Sequence, residues 1–510
     1  MTNRKKNVIR GFLSSISTSL VLQVTSLLVI PLYLDLTSQE LYGLWLALGA
    51  ILAWIKIGDM GLGLALTKRS VEALEKDDYK LLSRLIYGTI LSTLVFGAIV
   101  SGAGYFLDEL IINIFSISGY ASESFRETFY LLLIIAFIRP GLGSFSSIIN
   151  AKQHIAFLHI KNTSITLLSI LINIGLLLLD FGILSFAYGL LFEALATPIV
   201  DIIYLKRIDK KITLFPIKTS LSDIKSLLSF GLPYQALKIA NLVATNTDNI
   251  VIAAFLGASS VTVYVFTGKL AFLLAVFLVS VLPSVLFPGI SQLFENNEIE
   301  KIKHLYLKLS DFSIRLGVFS GICYFYINES FINIWVGPEN FGGIELTSIF
   351  VIWILFESFT RGVTSIIYAS GNLSGLTLIS FCEAALNICI TLLLINNLGL
   401  IGVVLGTVLS RFLIVLYIPF KINKILNIQN RTFIGSRILK IFYYSIPLLL
   451  TGELLSKISF SMIHPLIEIV IICGVMLFAS LFSSEGIFLL RNRKKPWQDR
   501  LRMLKDHYYS

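Results

Sequence analysis

The sequence predicts an all-α polytopic membrane protein of about 14 transmembrane helices, built as two parallel six-helix repeats plus two C-terminal helices. Of its 510 residues, 55% are hydrophobic and 14% are charged, whereas a soluble globular protein has about 25% charged residues. Apolar segments of about 20 residues, the length that a helix needs to cross a bilayer, recur from end to end. Similar segments also return at a nearly constant offset.

Apolar windows place the predicted spans at residues 10–33, 41–66, 84–107, 127–150, 155–179, 183–205, 226–256, 260–289, 309–332, 345–369, 373–395, 399–421, 438–456 and 464–490. The loops between them are too short for a folded catalytic domain. The four cysteines lack disulfide or metal-site spacing, and the five histidines are scattered. The segment TGKL at 267–270 lacks the upstream glycine of a phosphate-binding loop. We therefore expect no metal, no nucleotide or other cofactor, and no enzyme activity.

Lysine and arginine indicate the orientation, because the cytoplasmic loops of membrane proteins are enriched in them. With the N-terminus inside, the predicted inner segments hold 32 of the 41 basic residues, and the outer segments hold Arg126 and Lys457. Both termini are therefore predicted to be cytoplasmic, and the net charge of +10 needs no nucleic acid to explain it. The basic tail at 491–510 fits either an interfacial amphipathic helix or a disordered segment.

An internal repeat relates spans 1–6 to spans 7–12. A shift of 222 residues places Leu34 on Leu256 and Tyr42 on Tyr264. A shift of 218 places IINAKQ on IIYASG, and a shift of 217 places DFGILSFAYGL on NLGLIGVVLGT. These matches predict an N-terminal lobe with its linker at 1–222, a C-terminal lobe with its linker at 223–437, helices 13–14 at 438–490, and the tail. Six spans per unit make the lobes parallel, and transporters often bind substrate between such lobes.

Polar residues form matching stripes on spans 1 and 7. Residues three or four apart share one face of a helix. Under the 222-residue shift, Ser19 falls on Asn241, Gln23 on Thr245, and Ser26 on Asp248, while Lys238 and Ser15 extend the two stripes. We expect both stripes to line one central cavity. Small polar residues that pack helix against helix are the alternative interpretation.

Span 2 contains AWIKIGDMGLG, which puts Lys56 and Asp59 three residues apart in an apolar run. A charge at the centre of a membrane helix costs roughly 2.5 to 3.5 kcal/mol. A structural ion pair would lower that cost, and so would a water-filled cavity. Ionisable groups inside a membrane normally face an interior or an aqueous path.

Further ionisable residues lie within the predicted spans. Glu357 and Arg361 are one helical turn apart and are predicted to pair, and the 218-residue shift places Arg139 on Glu357. Lys269 adds a further cation, as do Arg315 and Arg411, while the acids include Glu193, Asp311, Glu383 and Glu453. Cations at several depths predict a cavity that attracts an anion, and arginine suits phosphate by bidentate hydrogen bonding.

Several segments resemble the polysaccharide flippases, which share a superfamily with multidrug and toxin extruders and lipid II flippases. They are YGLWLALGAILAWIKIGDMGLGLAL in span 2, the charged KRSVEALEKDDY that follows it, and TDNIVIAAFLGASSVTVYVFTGKL across spans 7 and 8. The resemblance covers spans 1–12 and rests on short patterns such as YGLW, DMGLG and TDN. Spans 13 and 14 match the lipid II and longer polysaccharide members.

This resemblance implies that an undecaprenyl-diphosphate-linked oligosaccharide crosses from the inner to the outer leaflet of a bacterial cytoplasmic membrane by alternating access. Lys56, Lys238 and Arg361 would then meet the diphosphate, with Arg139 and Lys269 as further cavity cations. Ser19, Gln23, Asn241 and Thr245 would meet the sugars. Asp59 and Asp248 are candidates to couple H⁺ or Na⁺, with structural pairing as the competing explanation. The prenyl chain would stay in lipid, near spans 13 and 14, and a polysaccharide polymerase is a potential partner.

Two other functions remain open. A drug or metabolite exporter of the same fold would be better served by an acidic or aromatic cavity. A membrane polysaccharide polymerase or glycosyltransferase would usually expose catalytic residues in sizeable outer loops, and the outer loops here are short. The surplus of cations within the spans favours the flippase.

Overall fold

The computed structural model describes residues 2–55, 60–115, 117, 120–212, 219–277, 289–372, 375–456, 472 and 474–475. Within these ranges the chain is helical and contains no β-strand. We number the α-helices in chain order. The predicted basic tail at 491–510 and the predicted last span at 464–490 lie outside the described residues, apart from three positions.

The helices of the first half are α1 Thr2–Leu36, α2 Gln39–Ile55, α3 Leu62–Glu75, α4 Tyr79–Phe106, α5 Asp108–Ile114, α6 Tyr120–Leu142, α7 Ser144–Ala151, α8 Ile155–Leu177, α9 Leu184–Ile208 and α10 Leu221–Leu256. Local chemistry explains where some of them begin. The Asp78 carboxylate accepts the Leu81 N–H at the start of α4. Ser220 and Asp223 form a reciprocal capping box at the start of α10.

The second half contains α11 Ala258–Phe272, which continues into a π-helical turn at Leu273–Phe277. It is followed by α12 Ile299–Trp335, a 3₁₀ turn at Pro338–Asn340, α13 Ile344–Ala369, α14 Leu376–Leu398, α15 Leu400–Leu426 and α16 Asn430–Ser456.

Ten helices among the described residues are long and apolar enough to cross a membrane. They confirm the all-α polytopic membrane fold. Of the other predicted spans, 226–256 lies on α10 and 309–332 lies on α12. Window 41–66 falls on α2 and α3, which are separate helices.

Span 2 is interrupted rather than continuous. Met60 and Gly61 both have positive φ, at 50° and 69°, and α3 begins at Leu62. A left-handed conformation is common only for glycine. A β-carbon on Gly61 would lie 2.4 Å from the Gly231 carbonyl oxygen of α10, so this glycine also permits a close approach between two backbones. Lys56 and Asp59 precede this interruption, and both lie outside the described residues.

The chain forms two compact units. Unit 1 comprises residues 1–262, 380–388 and 395–399, and unit 2 comprises 263–379, 389–394 and 400–510. An apolar core in unit 1 joins α3, α4, α7, α9 and α10 through residues such as Leu66, Leu82, Ile148, Leu205 and Leu227. A core in unit 2 joins α12, α13, α15 and α16, where Tyr306 stacks on Phe433 with ring centroids 4.9 Å apart. The repeat boundaries at 222/223 and 437/438 stay predictions about sequence equivalence.

Asp209 holds several helix ends of unit 1 together. It follows the last residue of α9 and accepts hydrogen bonds from Lys152, 2.5 Å away and just beyond α7, and from the Tyr79 hydroxyl of α4, at 3.1 Å. These contacts fix the ends of the helices that carry the charged groups described next.

Candidate functional site

The predicted cavity residues are described to different extents. Lys238, Asn241 and Thr245 lie on α10, but their side chains are outside the described part of the structure. Asp248, on the same helix, is buried. On α1, Ser19 is exposed and Gln23 is half-buried, and Lys269 of α11 is half-buried. The shared polar cavity of spans 1 and 7 therefore stays a prediction.

Arg139 and Glu193 form an ion pair between α6 and α9. The Arg139 Nη2 atom donates to Glu193 Oε2 at 3.4 Å. Arg139 keeps 39% of its side-chain surface exposed, whereas Glu193 keeps 14%. A guanidinium group has five N–H donors. Among the described contacts the Arg139 guanidinium makes this one hydrogen bond, so its other donors remain for a ligand.

Lys161 and Asp201 form a second, fully buried pair in the same unit. The Lys161 Nζ atom donates to Asp201 Oδ1 at 2.7 Å and to the Ser146 hydroxyl at 3.3 Å. Ser146 in turn donates to the other carboxylate oxygen of Asp201. A buried ion pair is stable only when hydrogen bonds satisfy it, and Ser146 supplies that link between α7, α8 and α9.

A polar cavity of about 240 Å³ lies beside these pairs, wholly within unit 1. Its lining comes from the end of α6, the start of α7, α8 and α9: Arg139, Leu142, Gly143, Ser146, Asn162, Ile165, Thr166, Glu193, Ala194, Thr197 and Pro198. Arg139 and Glu193 thus border one cavity, and Ser146 connects it to the buried Lys161–Asp201 pair.

Unit 2 contains a carboxylate that holds two arginines. Glu357 of α13, 3% exposed at its side chain, accepts from Arg361 Nε at 2.5 Å and from Arg411 Nη2 of α15. The predicted Glu357–Arg361 pair is therefore confirmed, and Arg411 is an additional member. With one acid and two bases this cluster carries a formal charge of +1, and Arg361 keeps 37% of its side chain exposed.

A third cluster joins α12 to α16. Asp311 accepts hydrogen bonds from Arg437 Nη1 at 3.4 Å, from the Tyr444 hydroxyl at 3.3 Å, and from Lys440. It also carries a formal charge of +1. Its basic members lie on α16.

Sequence reasoning missed the partners that lie on different helices. Lys161 was counted with the basic residues of a predicted inner segment, and its buried partner on another helix was not predicted. Asp201 was not singled out among the acids of the predicted spans. The one signal available was the scarcity of ionisable residues in spans, which makes each of them a candidate for pairing. Among the described residues no group of three His, Cys, Asp or Glu side chains could hold a metal ion.

The chain resembles proteins of polysaccharide export in sequence. A family model described as "Polysaccharide biosynthesis protein" matches residues 8–294. A putative O-antigen transporter of Salmonella typhi is 22% identical over 416 residues, which cover 78% of this chain and 91% of that protein. An uncharacterized membrane protein of Methanocaldococcus jannaschii is 23% identical over 269 residues, 52% of this chain, and the chain spans half of its length.

Two solved structures share the fold. The lipid II flippase MurJ in an inward closed conformation superposes with a TM-score of 0.69 and 17% identity, covering 97% of this chain and all of that one. An inward-facing multidrug resistance MATE family transporter of the MOP superfamily gives a TM-score of 0.60 and 18% identity, covering 79% of this chain and 98% of that one. At these identities the likeness concerns the fold alone.

Proposed function

The chain belongs to the polysaccharide biosynthesis protein family, whose model matches more than half of it, and on this premise we propose that it carries an undecaprenyl-diphosphate-linked oligosaccharide from the inner to the outer leaflet of the cytoplasmic membrane. It is a multi-pass membrane protein of flippase-type transport. We further propose that transport proceeds by alternating access and that both termini of the chain are cytoplasmic.

The observation that carries this proposal is the Glu357 cluster of unit 2. One buried carboxylate holds two guanidinium groups, and one of them, Arg361, keeps 37% of its side chain exposed, so a cation inside a membrane protein stays accessible to a ligand. Because Arg361 meets Glu357 through Nε, its two terminal nitrogens can form a fork on a phosphate. Arg361 is therefore the proposed diphosphate contact, and Glu357 is a positioning residue.

The lipid part of the substrate has a candidate place in the same unit. An apolar groove of about 220 Å³ runs between α13, α15 and α16 and is lined by residues such as Phe356, Phe359, Phe412, Phe433 and Ile441. Arg437 also lines it. A groove of this composition suits a prenyl chain, and Arg437 in its lining suits the phosphate end of that chain. We also propose that Asp59 or Asp248 couples transport to H⁺ or Na⁺, and that the chain contacts a polysaccharide polymerase.

The test is the leaflet location of lipid-linked oligosaccharide in cells that lack this chain. Accessibility to an external glycan-modifying reagent reports the leaflet, and surface polysaccharide is assayed in parallel. We expect full-length units to accumulate, shielded from the reagent, while the surface polymer disappears. Units that become accessible but stay unpolymerised would support a polymerase instead, and no change in either would support an exporter.

A matched pair of variants then tests the phosphate contact. Arg361→Gln should abolish rescue at normal membrane abundance, whereas Arg431→Gln, at an exposed position on α16, should rescue like the unaltered chain. Full rescue by Arg361→Gln would remove this residue from the proposal.

A further inference from the structure

The polar cavity of unit 1 is large enough to hold a ligand. One water needs about 15 Å³ of such space, and the cavity offers about 240 Å³. It also lies within a helical lobe of a membrane protein, where a cavity with polar walls must be filled by water or by polar ligand groups. The residues that line the cavity indicate which kind of ligand it can bind.

Two small residues line the cavity, and the predicted second repeat has larger residues in their place. The 218-residue shift that places Arg139 on Glu357 also places Gly143 on Arg361. The 217-residue shift of the sixth and twelfth spans places Ala194 on Arg411. In unit 2, therefore, two arginines stand where unit 1 has a glycine and an alanine. Gly143 and Ala194 both line the cavity, and their small side chains leave room in it that larger ones would fill.

The cavity is electrically balanced. Its ionisable lining residues are one base and one acid, Arg139 and Glu193, which pair with each other. The Lys161–Asp201 pair behind Ser146 is also neutral in sum. A phosphate or a metal cation would leave a net charge in a region of low dielectric constant, which is expensive. An uncharged ligand would leave the cavity neutral and would avoid this cost.

The hydrogen-bonding groups of the lining suit a ligand with several hydroxyls. Arg139 donates, Glu193 accepts, and the amide and hydroxyl side chains of Asn162, Thr166 and Thr197 can do both. Pro198 also has no N–H to give to the carbonyl of Ala194 one turn earlier, and both residues line the cavity. Neighbouring hydroxyls of a sugar ring can accept from an arginine and donate to a carboxylate at the same time.

We propose that this cavity binds one uncharged sugar residue of the transported glycan. The inference rests on the proposed function, because it assigns a subsite for the same substrate, and it places that subsite inside the first repeat. It predicts that the repeat unit includes a neutral sugar whose hydroxyls face Arg139 and Glu193.

The experiment uses the purified full-length chain in detergent and follows its melting temperature. The probes are methyl glycosides of neutral hexoses and N-acetylhexosamines, the glycoside of a hexuronic acid, inorganic phosphate and sodium chloride, each at matched ionic strength. At least one neutral glycoside should raise the melting temperature, since a ligand that binds the folded state stabilises it. The hexuronic acid glycoside, phosphate and sodium chloride should cause no change in melting temperature that filling the cavity abolishes.

Two variants locate the effect. Gly143→Leu should fill the cavity, because a β-carbon there meets its nearest atoms at 3.4 and 3.5 Å and the backbone is already helical. Thr197→Val removes a hydroxyl at constant shape. Both should weaken the glycoside response at least tenfold, whereas Gly175→Leu, at an exposed position on α8 with no atom within 4 Å of the added β-carbon, should keep it.

Two results would overturn the inference: no response to any neutral glycoside, or a phosphate or sodium response that Gly143→Leu removes. Rescue of surface polysaccharide in cells separates this outcome from failure of the proposed function. If the unaltered chain rescues and Gly143→Leu rescues equally, the subsite is wrong and the transport proposal stands. If the unaltered chain does not restore translocation, the transport proposal itself fails.

Discussion

Arg139 and Glu357 each form an ion pair within their own unit, and the charge of one is opposite to that of the other. Arg139 of α6 pairs with the acid Glu193 on α9, and Glu357 of α13 pairs with the base Arg411 on α15. Each pair joins the fourth and sixth spans of a predicted repeat. Glu193 and Arg411 are 218 residues apart, one position from the 217-residue shift of their spans. Under the predicted repeat, two ion pairs at neighbouring positions thus have opposite polarity.

The first prediction concerns exchange of charge in unit 1. Arg139→Glu alone places two acids together and should lower membrane abundance several-fold, because a loss of 1 to 2 kcal/mol has about that effect in cells. The double variant Arg139→Glu with Glu193→Arg adopts the polarity of unit 2 and should recover most of the abundance. Quantitative immunoblotting of membranes measures both. A double variant no better than the single one would show that the pair is not the stabilising contact.

The second prediction concerns the carboxylate in unit 2. Glu357→Gln removes the carboxylate that Arg361 and Arg411 share, and removing one partner of a buried pair costs roughly 3 to 5 kcal/mol. We expect a much lower melting temperature in detergent. Adding Arg411→Met should recover much of this loss, since it removes one of the two neighbouring cations that would repel each other. An unchanged melting temperature in Glu357→Gln would show that Glu357 does not stabilise the fold by holding the two arginines.

The third prediction concerns the contact between Gly61 and Gly231. Gly61→Ala should destabilise the chain strongly, because a left-handed non-glycine residue costs about 1 to 3 kcal/mol and its β-carbon would lie 2.4 Å from a carbonyl oxygen. Gly49→Ala is the matched control within α2, where an added β-carbon meets no atom within 4 Å. Gly61→Ala should melt at a lower temperature than Gly49→Ala. Equal melting temperatures would refute the close approach of Gly61 to Gly231.

The fourth prediction concerns acid pH and Asp108, which lies on α5 outside the apolar spans. The Tyr130 hydroxyl donates to its carboxylate at 2.6 Å. This bond holds the pKa of Asp108 below its ordinary value, the Glu109 N–H and the Arg126 charge act in the same direction, and burial opposes them. A lowered folded-state pKa means that the contact stabilises the fold above about pH 4, the unfolded pKa, and that this contribution disappears as the pH falls through the folded-state pKa.

Melting curves of the unaltered chain and of Asp108→Asn check this pH dependence. The two should differ at pH 7, and the difference should shrink as the pH approaches the range in which the carboxyl group protonates in the folded protein. Tyr130→Phe should reproduce part of the loss at pH 7. A difference that is constant across the pH range would show that the ionised carboxylate is not responsible.

The sequence predicted features that depend on one helix at a time. Apolar length identified the spans, and the four-residue spacing of Glu357 and Arg361 identified their pair. The partners of Lys161 and Asp311 escaped, because they lie 40 and more than 120 residues away on other helices, and helical periodicity carries no information about which helices meet.

The interruption of span 2 escaped for a different reason. Hydropathy registers the apolar character of residues 41–66 but not a change of backbone conformation. The DMGLG motif does contain the glycine that turns the chain, Gly61. The cavity escaped as well, since it follows from small residues such as Gly143 and Ala194, whose significance appears only beside the other repeat.

The reversed polarity of the two ion pairs has a consequence for the newly made chain. Helices enter the bilayer one after another, and two similar repeats could pair the wrong helices with each other. If α6 met α15, Arg139 would face Arg411. If α13 met α9, Glu357 would face Glu193. Like charges repel where the surroundings are apolar, so each mismatched pairing is disfavoured. The two halves of the chain can thus assemble in one membrane without exchanging their helices.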